Sequence, residues 1–399
     1  MEQTWRWFGP NDAISLDHVK QAGATGIVTA LHHIPAGQTW SPDDIAARKK
    51  LIERSGLRWS VCESIPVHDA IKRGGQAARP FIDAWKDSLA NLGKAGVDVV
   101  CYNFMPVVDW TRTDLAFALP STGFALRFDI VDFVGYDVFV LRRPGSADDY
   151  EPTLVARAQF RIATMSPDAV DRLERNIIAG LPGGAAAQTR ASIAEAIASF
   201  AGAGEDDMRA NLSAFLKEVV PVAEAVGVRL AIHPDDPPFS LFGLPRVVST
   251  ASDARKLLSS VKSPANGLTF CAGSYGARAD NDLTAMAREF APRIHFAHLR
   301  NVRIENDCCF HEAEHLDGGA DMVALVDILL REERAAGREG RRRPRIPMRP
   351  DHGHLLASDI GKATNPGYSY AGRLKGLAEL RGVMRALERQ IAAEDPPQA

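Results

Sequence analysis

The chain has 399 residues, and its 47 Lys and Arg against 50 Asp and Glu leave a formal charge of −3. A composition that is 46% hydrophobic and 24% charged is that of a globular protein long enough for a large core, and the balanced charge offers no electrostatic footprint for nucleic acid. No apolar stretch reaches the ~18 residues that span a bilayer, and residues 1–7 lack a charged region followed by an apolar one, so neither a membrane span nor a secretory signal is expected.

Short apolar runs rich in β-branched residues predict strands over 4–8, 26–31, 58–63, 97–103, 228–233, 267–271, 294–299 and 346–351. Helical patterns follow over 12–22, 43–55, 80–95, 208–225, 251–261, 281–290, 321–336 and 370–389. Near-continuous apolar strands with helices between them imply a parallel sheet covered on both faces. Eight such units, with no G-x-G-x-x-G after the first strand, predict an α/β fold: a (β/α)8 TIM barrel, with 1–399 as a single catalytic domain. The fourth unit is irregular. A long insertion after the fourth strand, 106–207, reads as extended over 124–141, as a short helix over 166–178 and as an Ala- and Gly-rich stretch over 181–203. It would sit over the face where barrel enzymes keep their sites, as a lid, a subunit interface or both.

Five cysteines, two of them adjacent at Cys308 and Cys309, make no disulfide framework and point to a reducing cytoplasm. The Arg-dense run 338–345 is short and reads as a solvated loop. Cys62 and Cys101 fall inside strand patterns, as small core residues do.

Four predicted strands end in a residue able to bind a metal: His233, Cys271, His298 and Asp351. The C-terminal ends of barrel strands converge on one mouth, so residues distant in sequence meet there. Two imidazoles, a thiolate and a carboxylate complete a set for a divalent transition metal, without singling out manganese, iron, cobalt or zinc. Three further clusters aim at the same mouth: His32-His33, Arg300-Asn301, and Arg349 with His352 and His354. Arg300 could hold a carboxylate through its planar fork. His311-Glu312-Ala313-Glu314-His315 matches H-E-x-x-H, but Gly318-Gly319 follows too soon for the helix that a zinc protease needs. A polar loop at the same mouth is the expected reading.

Taken together, Phe8-Gly9-Pro10, Thr29-Ala30-Leu31-His32-His33-Ile34-Pro35, Asn103-Phe104-Met105-Pro106 and Thr269-Phe270-Cys271-Ala272-Gly273-Ser274 resemble the signature blocks of the D-mannonate dehydratase family. So do His298-Leu299-Arg300-Asn301, Phe310-His311-Glu312, Arg349-Pro350-Asp351-His352-Gly353-His354 and Asn365-Pro366-Gly367-Tyr368. The resemblance runs from end to end. It implies a xylose-isomerase-like barrel and a hydro-lyase that converts D-mannonate to 2-keto-3-deoxy-D-gluconate in hexuronate breakdown. It implies one Mn2+ or Fe2+ per chain, held by His233, Cys271, His298 and Asp351. The family's catalytic Tyr falls on Tyr368, with Tyr370 two residues on. The elimination needs charge stabilisation at the carboxylate, a base near C2 and an acid near the C3 oxygen. Arg300 is expected to serve the carboxylate, and His352 and Tyr368 to be the acid–base pair in either order. His32, His33, His311 and Arg349 are expected to bind substrate. The expected partner is a small sugar acid, with no nucleic acid and no membrane, in a homo-oligomer, a dimer first. The rival readings are a metal-dependent sugar isomerase or epimerase on the same barrel and a non-catalytic barrel that binds metal and sugar acid. Preference between D-mannonate and its C2 epimer stays open.

Overall fold

The computed structural model describes residues 1–179, 189–306, 308–341 and 345–394. Parts of the Ala- and Gly-rich stretch 181–203 and of the basic run 338–345 lie outside these. Eight parallel strands close a barrel: β1 (Glu2–Arg6), β2 (Gly26–Thr29), β3 (Arg58–Glu63), β4 (Val99–Tyr102), β7 (Arg229–Ile232), β8 (Asn266–Cys271), β9 (Ile294–His298) and β12 (Pro347–Arg349). They neighbour one another in chain order, and β12 pairs with β1 to close the ring. Each overlaps one of the eight predicted runs. Every residue of β2, β4, β8 and β9 is buried, because helices cover the outer face and side chains fill the inner one. Val28, Val61, Val99, Cys101, Ala231 and Phe296 form that inner cluster, while Cys62 belongs to the larger core between barrel and helices.

The helices dock by apolar stripes of helical period. In the helix Glu205–Val226 the buried residues Met208, Leu212, Phe215, Leu216, Val219, Val220 and Ala223 line one face, and Gly227 ends it in a left-handed conformation (φ 68°). The helix Pro42–Arg54 starts where Ser41 accepts a hydrogen bond from the Asp44 amide and Pro42 takes the first helical position.

Between β4 and β7 the chain forms β5 (Asp114–Ala118) and β6 (Phe124–Phe128) before several helices. These strands join β10 (Val302–Asn306) and β11 (Cys309–Glu312) in a four-stranded antiparallel sheet of order β10-β11-β6-β5. The expectation of extended chain over 124–141 holds only to Phe128. Asp129 caps a helix, Ile130–Gly135, by accepting from the Val131 and Asp132 amides, and a π-helical turn, Tyr136–Leu141, follows. This helix is buried nearly all round, so its apolar run carries no helical period by which to tell it from a strand. The predicted helix 166–178 is Pro167–Ile178, capped by Ser166.

Candidate active site and metal centre

The strand ends set the site. Arg6 closes β1, Glu63 closes β3, Asn103 follows β4 and His233 follows β7; Arg300 lies two residues past β9, and Arg349 closes β12. All of these side chains line one cavity at the C-terminal mouth of the barrel, with Asp351, His352 and Tyr368. Register fixes their level: Cys271 of β8 lies opposite His298 of β9, and His298 opposite Arg349 of β12. Beyond Arg349 the backbone turns at Asp351, which is left-handed (φ 67°), an uncommon conformation for a residue with a Cβ. That turn breaks the in–out alternation of a strand, so Asp351 and His352 both face the cavity.

One group of donors converges deep in the mouth. Nε2 of His233 lies 3.1 Å from Nδ1 of His298, and donor atoms of His233, Cys271 and His298 all fall within 4.8 Å of one another. Oδ2 of Asp351 is 3.9 Å from the Cys271 sulfur and 3.9 Å from Nδ1 of His298. Nδ1 of His233 donates to the Pro234 carbonyl at 2.6 Å, which leaves the Nε2 lone pair to face the other donors. Burial alone would push the Asp351 carboxyl up, but Arg349 first, then His352, His298 and Arg300, hold it well below the usual carboxylate range. A charged carboxylate, a thiol and two imidazoles facing one another in a buried place fit a divalent transition metal.

Beside that group lies a proton-handling set. Nδ1 of His352 sits 2.5 Å from Oε1 of Glu312, which turns Nε2 of the ring elsewhere. Glu312 is also met by Arg300 Nη1 and Arg112 Nη2, both at 3.4 Å. Arg300 and Arg112 in turn share Asp236, with Arg300 Nη2 at 2.7 Å from Oδ2 and Arg112 Nη1 at 2.7 Å from Oδ1. Arg112 is wholly buried between the rings of Trp110 and Phe310. The ring of His352 packs edge-on to Tyr368 (4.9 Å between centroids), and Tyr368 edge-on to Phe8 (4.9 Å). Burial pushes the Tyr368 hydroxyl up to about 12, with Asp351 raising it further against Arg349, so it stays protonated at neutral pH. Gly367 precedes Tyr368 at φ 77°, and a Cβ there would press on Leu126 and the His352 ring.

A family model described as D-mannonate dehydratase (UxuA) matches residues 1–394. Mannonate dehydratase 2 of Agrobacterium fabrum is 64% identical over 395 residues, covering 99% of each chain. The chain belongs to the D-mannonate dehydratase family. The mannonate dehydratase of Saccharophagus degradans is 58% identical over 389 residues, covering 97% of this chain and 98% of that one. Among solved structures, that of mannonate dehydratase from Streptococcus suis serotype 2 aligns with a TM-score of 0.75 at 34% identity, over 100% of this chain and 96% of that one. A D-tagatose 3-epimerase-like protein aligns at a TM-score of 0.52 and 10% identity, over 98% and 100%, and shares the fold alone.

Of the residues singled out in the sequence of this family member, His233, Cys271, His298, Asp351, Arg300, Arg349, His352 and Tyr368 are brought together. Tyr370 is separated from its neighbour: its hydroxyl donates to the His18 carbonyl at the outer side of the barrel. His32, His33 and His311 lie outside the cavity lining. Both ring nitrogens of His32 are buried without a hydrogen-bond partner, beside Phe8, and His33 is exposed. His311 turns to Glu305 (2.9 Å) on β10, while its neighbour on β11, Glu312, turns inward, as strand alternation requires. His315 is tied to the Pro350 carbonyl at 2.8 Å. The H-E-x-x-H stretch is thus part strand and part turn, and only its Glu reaches the site.

Arg6, Glu63, Asp236 and Arg112 were not singled out. Glu63 carries the same signal that marked His233 and Cys271, a side chain able to bind a metal at the end of a predicted strand, whereas Arg6 falls inside the predicted run 4–8 and closes only the observed β1. Asp236 and Arg112 sit in loops, where nothing in the sequence separates them from surface charges.

Proposed function

We propose that this protein is a metal-dependent hydro-lyase that removes water from D-mannonate to give 2-keto-3-deoxy-D-gluconate. The observation that carries the reading is one cavity mouth shared by a four-donor cation set and a His352–Glu312 pair packed on Tyr368. Arg6, Arg300 and Arg349 line the cavity beside the carboxylates Glu63, Asp109, Asp236 and Asp351, so a sugar acid is held there by guanidinium donors together with the charge of a bound cation.

Mn2+ or Fe2+ held by His233, Cys271, His298 and Asp351 would supply positive charge where the enediolate develops. His352, with Nδ1–H given to Glu312, presents Nε2 as the base that takes the proton from C2. Glu312 then stabilises the imidazolium, as a carboxylate does behind a catalytic His. Tyr368, kept protonated by burial, donates its hydroxyl proton to the departing C3 oxygen. Water leaves with that proton, and the enol that remains becomes the 2-keto acid. Arg300 is fixed by Asp236 and Ser274 and adds positive charge at the carboxylate end. Asp109 and Trp110, from the segment 106–207, line the cavity, which supports a covering role for that segment.

The same reading places the reaction in hexuronate breakdown in the cytoplasm, which the five free cysteines support. No helix among the described residues is long and apolar enough to cross a membrane. A homo-oligomer, a dimer first, belongs to this reading and is read by light scattering.

The test is to strip the protein of metal and incubate it with D-mannonate, with and without Mn2+. Metal-dependent formation of a 2-keto-3-deoxy acid that disappears in Cys271→Ser is expected. No such product from metal-loaded protein, or an isomerised or epimerised sugar instead, overturns the reading.

A further inference from the structure

Three guanidinium groups line the cavity, and their donors are spent very differently. An arginine carries five N–H donors in a rigid fork. Arg349 has all three nitrogens engaged: Nε with His298 (3.1 Å), Nη1 with Asp351 and Nη2 with Glu63 (3.0 Å). Arg300 gives Nη2 to Asp236 and Ser274 and Nη1 to Glu312. Its Nε is buried against Gly273, where even a Cβ would come within 2.1 Å. Neither has an open fork to offer a ligand.

Arg6 has. Its one partner among the described residues is Glu63, with Nη1 at 2.8 Å from Oε2. Its Nε is buried without an acceptor, and among the described residues no group accepts from Nη2. The side chain is only 8% exposed, yet it lines the cavity. A nearly buried cation with most donors unspent is costly unless an anion completes it. Its guanidinium lies 5.1 Å from the Phe8 ring, which packs edge-on to Tyr368. The open fork therefore lies on the side of the cavity where Tyr368 acts, next to the carbon that bears the carboxylate.

We propose that Arg6, from the end of β1, is the residue that grips the substrate's C1 carboxylate, through the Nη donors that Glu63 leaves unspent. Arg300 and Arg349 are then positioning residues, holding Asp236, Glu312, His298 and Asp351 in place. The proposal rests on the sugar-acid reading above and narrows it to one recognition contact.

The test compares wild type with Arg6→Gln and Arg6→Lys, each loaded with Mn2+. Metal content, melting temperature, kcat and KM for D-mannonate, and calorimetric binding of D-mannonate are measured together. Arg6→Gln is expected to keep one metal per chain and to raise KM by about 10- to 150-fold, the range for losing a hydrogen bond to a charged group. Arg6→Lys is expected to recover part of that loss, as is added guanidinium ion with Arg6→Gln. A KM within twofold of wild type in both variants overturns the proposal, and so does a loss that follows metal content and that guanidinium does not restore. A wild type that binds D-mannonate without turning it over, while Arg6→Gln does not bind it, sinks the dehydratase reading and upholds this contact. A wild type that binds no sugar acid sinks both.

Discussion

Nδ1 of His352 lies 2.5 Å from Oε1 of Glu312, a contact between the loop after β12 and the inward end of β11. The carboxylate decides which ring nitrogen carries the proton and steadies the imidazolium once it forms. In Glu312→Gln the amide can present its NH2 to Nδ1 and reverse that choice. We expect kcat to fall by as much as about 10⁴-fold, the loss seen when the orienting carboxylate behind a catalytic His becomes an amide. Metal content should not change. Steady-state kinetics beside metal analysis checks both, and a kcat within threefold of wild type would refute the pairing.

Gly273 gives room to Arg300. An ideal Cβ at that position falls 2.1 Å from Nε of Arg300, a distance that no real Cβ contact tolerates. Gly273→Ala should push the guanidinium off Asp236 and Ser274 and lower kcat/KM by at least about tenfold, equivalent to roughly 1.4 kcal/mol. Circular dichroism should report an intact barrel, because the strain is relieved at the mouth and not in the core.

His295 lies on β9, distant from the mouth, with Nδ1 donating to the Leu230 carbonyl at 2.7 Å. Burial first, then Arg229 and Arg293, pull it down to about 3 from an unperturbed 6.5. A depressed folded value means that this neutral imidazole contributes stability above pH 6.5 and loses it as pH falls towards 3. Urea denaturation of wild type and His295→Gln should show their gap narrowing below pH 6.5, by about 1.4 kcal/mol per pH unit. A gap that is constant between pH 7 and pH 5 would contradict the neutral, buried state.

Removing the metal should destabilise the folded chain, since a cation that binds only the assembled donors stabilises by mass action. Chelation of the Mn2+-loaded protein should lower the melting temperature, and added Mn2+ should restore it. In Cys271→Ser the shift produced by Mn2+ should shrink, whereas the metal-free melting temperature should stay near that of the metal-free wild type. An equal Mn2+ shift in both proteins would remove the sulfur from the donor set.

Much of this was legible in the sequence because parallel strands buried on both faces leave near-continuous apolar runs, and the residues that close them point to one mouth. His233, Cys271, His298 and Asp351 could be picked out on that ground alone. His311 could not be separated from Glu312, since which of two neighbours on a strand turns inward depends on pairing that a single chain does not display. His32 reads as a substrate contact for the same reason that Glu63 passes unmarked: histidine at a strand end attracts notice and a carboxylate does not. The helix after Asp129 was hidden by its own burial, although Asp129 is a favourable capping residue. Arg112 has no local signal, for its partners Asp236 and Glu312 are met only through tertiary structure.

The antiparallel sheet beside the barrel divides the molecule's working parts. The cation donors all belong to the barrel's own strand ends and the turn after β12. Glu312, which orients His352, and Arg112, which braces it, hang instead on the pairing of β6 with β11, where Phe128 meets Phe310 across a long stretch of intervening chain. Closing so long a loop carries an entropic cost, and a pairing in a small open sheet opens locally at lower free energy than a closed barrel does. The chain can therefore fall silent without coming apart: a brief parting of β6 from β11 would idle the proton traffic while the cation stayed bound. In amide exchange, β6 and β11 would surrender their protons before β8 and β9.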